Sequence, residues 1–123
     1  MLTMTSNATH VVQADGAAMT QIAVCRVDEV PDATALCRRL PGGKNVAVAR
    51  VTSNATGFVV FENRCPHFSA PIGEGRLKDN SVVCPWHFFR FDLETGKPVG
   101  MDSIKELKRF PVSVTGNEIT IEL

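Results

Sequence analysis

Two short fragments of this 123-residue chain join thiols to imidazoles: Cys65-Pro66-His67 and Cys84-Pro85-Trp86-His87. Between them they hold two of the four cysteines and two of the three histidines. A proline follows each cysteine; it stiffens the turn and lacks an N–H, so the neighbouring amides are free to face a bound inorganic group. Two soft thiolates and two imidazoles suit iron or zinc, and not magnesium or calcium. Zinc fingers usually keep a Cys pair in one fragment and a His pair in the other. Here each fragment mixes the two ligand types, although spacing alone leaves zinc open as an alternative. A nucleophilic Cys–His enzyme would use one pair oriented by a third group, and two equivalent pairs fit that poorly. Cys25 and Cys37 lie far from both fragments in strand-like stretches and read as buried or strand-lining packing residues. His10 is assigned no role.

The mixed pairing resembles the Rieske [2Fe–2S] family, in which two Cys hold one iron and two His the other. The resemblance spans residues 21–123. It includes Gly73-Glu74-Gly75 after the first fragment, Phe91-Asp92-Leu93-Glu94-Thr95-Gly96 after the second, and a loop centred on Pro98 where relatives place a third, shielding loop. It implies that Cys65, His67, Cys84 and His87 bind one [2Fe–2S] cluster, with the Cys pair toward the protein body. Electrons would then pass through the exposed His67 and His87. High-potential members carry an extra cysteine in each loop, joined as a disulfide, and a serine and a tyrosine hydroxyl near the sulfurs. The matching positions here are Ala70, Trp86, Phe89 and Phe91. Without those donors the potential should be low, as in the ferredoxin-type branch. This chain departs from that branch at Phe88, where glycine commonly follows the second His. Phe68 and Phe88, each directly after a His, are candidate docking residues.

The function this implies is a one-electron shuttle from a reductase to a terminal oxygenase, with no substrate site of its own. Two alternatives remain at this point: a small Rieske-like subunit of an NAD(P)H-dependent nitrite reductase, and a structural zinc-binding interaction module. A large extra domain with mononuclear iron is not expected, because no 2-His-1-carboxylate set is left once His67 and His87 are used. Composition adds exclusions. Thirteen basic and thirteen acidic residues cancel, which argues against nucleic acid or an anionic membrane as partner. No apolar run reaches the roughly 20 residues of a membrane span. The start of the chain shows neither a basic n-region nor an apolar signal core, so a cytoplasmic protein without disulfides is expected.

The elements that must position the two fragments read as short strands between strong turn signals. Residues 21–27, 35–40, 45–51, 58–62, 82–83, 89–93, 110–114 and 118–123 are the candidates. The 45–51 strand, NVAVARV, reads as half-buried. Pro41-Gly42-Gly43 should close a hairpin between 35–40 and 45–51, and Thr115-Gly116-Asn117 a final one. Only residues 103–109 suggest a helix, and a short one. Residues 1–20 hold one formal charge and no periodic apolar face, and read as a flexible arm before a single domain, 21–123. The expected architecture is all-β: a Rieske-type antiparallel sandwich with a small cluster-binding subdomain made of two loops.

Overall fold

The computed structural model describes residues 10–14, 17–66, 69–85, 89–100 and 105–122. These form antiparallel strands: β1 (His10–Ala14), β2 (Ala17–Arg26), β3 (Leu36–Arg39), β4 (Asn45–Arg50), β5 (Phe58–Glu62), β6 (Arg76–Lys78), β7 (Ser81–Val83), β8 (Arg90–Asp92), β9 (Arg109–Phe110), β10 (Val112–Thr115) and β11 (Glu118–Glu122). They assemble into three sheets of order β1-β2-β11-β10, β3-β4-β5-β9 and β6-β7-β8. The all-β expectation holds. The β3–β4 hairpin turns where the sequence places it, with Gly42 and Gly43 at φ of +90° and +88°, a backbone region that favours glycine.

The middle sheet is buried on both faces. Val46, Val48, Phe58 and Val60 pack with Ile22, Val24, Phe110, Ile119 and Ile121 against the first sheet. Ala47, Ala49, Val59 and Phe61 point the other way, into a second core with Val82, Phe91 and Leu93 of the three-stranded subdomain. Successive residues of a strand face opposite sides, so β4 serves two cores at once. Residues 46 to 49 are therefore all completely buried, and the half-buried reading of this strand is corrected.

Three further corrections concern elements. First, part of the stretch read as an arm is strand: β1 pairs with the first half of β2, for example Val12 with Met19. A ladder needs only backbone donors and acceptors, so the lack of an amphipathic face does not prevent it. Second, residues 105–108 carry no regular structure, and Arg109 opens β9; Ser103 and Ile104 lie outside the described residues. The backbone here is committed to tertiary partners: Leu107 N–H donates to Gly96 O at 2.7 Å, and Lys108 O accepts from Glu62 N–H at 2.9 Å. Third, the strand read at 110–114 is two strands on different sheets. β9 pairs with β5 and β10 with β11; Pro111 between them has no N–H to continue a ladder. β6, which pairs with β7, is an addition to the sequence reading.

Candidate metal centre

Cys65 and Cys84 sit at the heads of two loops closed in the same way. The first loop leaves β5, and Cys65 N–H donates to Ala70 O at 2.8 Å. The second is the tip of the β7–β8 hairpin, and Cys84 N–H donates to Phe89 O, also at 2.8 Å. Each cysteine N–H thus bonds to the carbonyl five residues on. In the first loop Ser69 N–H returns to Cys65 O at 2.7 Å, and Arg64 Nε donates to Ser69 Oγ at 3.0 Å. Ser69 adopts a positive φ of 61° to close it. Both cysteines are buried, at 0% and 2% exposure, and both belong to one apolar cluster with Ala70, Ile72, Phe91 and Leu93. His67, Phe68, Trp86, His87 and Phe88 lie outside the described residues.

The accessory motifs have steric and hydrogen-bonding causes. A 3-10 turn at Ile72–Glu74 follows the first loop and packs on β3, β4 and β7. A Cβ on Gly73 would come within 2.7 Å of Ala47 Cβ, and one on Gly75 within 1.7 Å of Val83 O. Glycine is required at both because other atoms already occupy that space. After the second loop, Asp92 Oδ1 accepts the N–H groups of Glu94 and Thr95 at 2.7 and 3.3 Å, a local side-chain turn. The Pro98 loop lies along β8: Phe91 and Pro98 form a bridge, and Val99 N–H donates to Arg90 O at 2.8 Å.

The remaining thiols differ from one another. Cys25 is buried beside a bulge in β2, where the register against β11 shifts between Ile119 and Thr120. Burial pushes its thiol up to about 11, Glu29 adds to the shift and Arg38 opposes it. Cys37 lines β3 as expected, but it is exposed and not buried. Partial desolvation of its sulfur by the surrounding atoms and then the Glu74 charge raise its pKa, and Asn63 lowers it. Asn63 itself was not legible as a site residue, since no spacing rule marks an asparagine two positions before a cysteine.

The site suits an iron–sulfur cluster: two buried sulfur donors head equivalent loops within one apolar shell. A family model, the Rieske [2Fe-2S] domain, matches residues 20–111. The chain belongs to the Rieske [2Fe–2S] family, whose cofactor is one [2Fe–2S] cluster. Its relatives narrow the branch. The chain is 36% identical over 104 residues to the 3-phenylpropionate/cinnamic acid dioxygenase ferredoxin subunit of Photorhabdus laumondii, covering 84% of this chain and 94% of that one. It is 32% identical to the ferredoxin component of the p-cumate 2,3-dioxygenase system of Pseudomonas putida, covering 83% and 85%. Among solved structures, a complex of reduced oxygenase and oxidized ferredoxin in carbazole 1,9a-dioxygenase contains a chain matched with a TM-score of 0.71 at 28% identity, covering 81% and 99%. The fold and these relatives are those of a Rieske-type ferredoxin, and the zinc-module alternative is set aside.

Proposed function

We propose that this chain carries single electrons from a reductase to a terminal oxygenase, holding its cluster on Cys65, His67, Cys84 and His87. The observation that carries the reading is the burial of both cysteines in one apolar cluster, in a chain similar along most of its length to dioxygenase ferredoxins. When bound, the cluster supplies one-electron chemistry, and the iron with neutral imidazole ligands is the one favoured to take the electron. Cys65 and Cys84 keep the sulfur side away from water, and Phe91 and Leu93 pack with them. His67 and His87 form the edge that a partner approaches, with Phe68 and Phe88 as apolar contacts. Val99, on the Pro98 loop, is 42% exposed and is offered as a further apolar contact. Arg64, Arg90 and Lys97 tune the encounter rate. The same reading places the protein in the cytoplasm, with its reductase. The names of the relatives favour it over a nitrite reductase subunit.

Anaerobic purification followed by iron, zinc and acid-labile sulfide assays tests the ligand set. Two irons and two sulfides per chain are expected, and each of Cys65→Ser and Cys84→Ser should lose them. A colourless protein with stoichiometric zinc and no sulfide after reconstitution would overturn the reading. Reduction by a dioxygenase-system reductase, and reoxidation by its oxygenase, tests the place in the electron chain.

A further inference from the structure

Asn63 stands at the exit of β5, two residues before Cys65, and its side chain reaches across the root of the first loop. Its Oδ1 accepts the Gly73 N–H at 2.6 Å, ten residues further on. Its side chain also lies near enough to Cys37 on β3 to favour the thiolate there, and its backbone N–H donates to Asn45 O at 3.0 Å. One residue thus ties the strand entering the first loop to the 3-10 turn leaving it. Gly73 is held tightly in that position: a Cβ there would also lie 2.8 Å from Cys37 Sγ and 3.0 Å from Asn63 Oδ1. Two residues later Gly75 lies against the carbonyl of Val83, and Val83 directly precedes Cys84. The segment that Asn63 holds is therefore the spacer between the roots of the two ligand loops.

We propose that Asn63 is a positioning residue for the cluster: by clamping Gly73 it sets the separation at which Cys65 and Cys84 are presented. Without the clamp, the Gly73 N–H loses its acceptor in a part-buried site, an unfavourable state for a backbone donor. The spacer then loosens, and the two sulfurs no longer hold one geometry. The inference rests on Cys65 and Cys84 being ligands.

The test uses the cluster-loaded protein. Asn63→Ala removes the acceptor, whereas Asn63→Asp keeps an oxygen in the same place. The readouts are the rate of cluster release to an iron chelator, the EPR spectrum of the reduced protein, and the thermal melt of the same samples. Asn54→Ala is the control, because Asn54 Oδ1 accepts the Gly57 N–H at 2.8 Å in the β4–β5 turn, a bond of the same kind away from the loops. Asn63→Ala should release the cluster about tenfold faster, with altered g values, the effect expected for one lost hydrogen bond of ordinary strength. Asn63→Asp should stay within about twofold of wild type. Asn54→Ala should release it at the wild-type rate even where its melt is lowered. If Asn63→Ala fails to fold, Asn63→Ser, too short to span the gap, carries the same expectation. Wild-type release from the truncated variant, or release from Asn63→Asp as fast as from it, would overturn the proposal. A Cys65→Ser protein that kept its cluster would instead locate the failure in the ligand assignment.

Discussion

Phe91 is fully buried in the apolar cluster that contains Cys65 and Cys84, and a phenyl ring offers no hydrogen bond to a sulfur. Donors near the sulfurs stabilise the more negative, reduced cluster. Their absence at Phe89 and Phe91 should therefore give a low potential, near about −150 mV at the bottom of the Rieske range. Protein-film voltammetry should find this value nearly flat across neutral pH, and Phe91→Tyr should raise it; a clearly positive wild-type potential would contradict the argument. Cys25 gives a second prediction at this scale. Its thiol ionises near 9.0 in the unfolded chain but only at about 11 in the fold, through burial first, then Glu29, with Arg38 opposing. Below pH 9 both states are protonated and the stability tied to this group is fully present. Between pH 9 and 11 the unfolded chain alone releases the proton, so that stability is lost as pH rises. The melting temperature of Cys25→Ala should accordingly fall less steeply over this window than that of wild type; equal slopes would contradict the assignment. Cys65, Cys84 and both phenylalanines were legible as residues, because their spacing carries the proposed chemistry. Asn63 was not, since its role depends on where Gly73 is folded back to meet it.

At the scale of elements, the spacer between the loops is more constrained than the loops' own sequence suggests. A methyl on Gly75 would fall 1.7 Å from a backbone oxygen, and backbone cannot step aside as a flexible side chain can. Gly75→Ala should cost roughly 1–3 kcal/mol of stability, as overpacking does. It should also lower cluster content, read by iron and sulfide analysis; full loading with an unchanged melt would show that the sheet yields there. The other two cysteines sit differently: Cys25 lies in β2, in the core against the first sheet, and Cys37 in β3, beside the Gly73 turn. A Cys25→Ala/Cys37→Ala protein should keep full cluster content and an unchanged EPR spectrum, losing no more than a few kcal/mol of stability. Cluster loss from that folded variant would make one of the two a ligand. The hairpin at Gly42 and Gly43 was readable because turn chemistry is local. The split of 110–114 into β9 and β10 was only half readable: Pro111 marks a break, but which sheet each half joins depends on β5 and β11.

For the whole molecule, the proposed shuttle role makes transfer depend on how closely a partner approaches His67 and His87. Transient redox contacts are small, so a few apolar anchors can carry much of the binding. Phe68→Ser and Phe88→Ser should leave visible absorbance and potential nearly unchanged while slowing electron delivery to the oxygenase in stopped-flow measurements. Loss of the cluster, or a shifted potential, in these variants would show that the rings shield it instead. Arg64, Arg90 and Lys97 should make the delivery rate fall as salt is raised, because exposed charges are screened beyond about 8–10 Å at ordinary ionic strength.

The sequence by itself determined the chemistry: mixed Cys/His pairs with prolines, the missing hydroxyls, and a strand-and-turn composition that leads to an all-β fold. These are properties of residue type and short spacing, which need no folding to be read. The tertiary structure alone decided that β4 and β5 face two cores, with Val46, Val48 and Val60 toward the first sheet and Ala47 and Ala49 toward the core that holds Cys65 and Cys84. The small alanine at position 47 gives Gly73 its place, and Gly73 in turn meets Asn63. A strand's two faces are fixed by period two, but what covers each face is set by sheets that are distant in sequence.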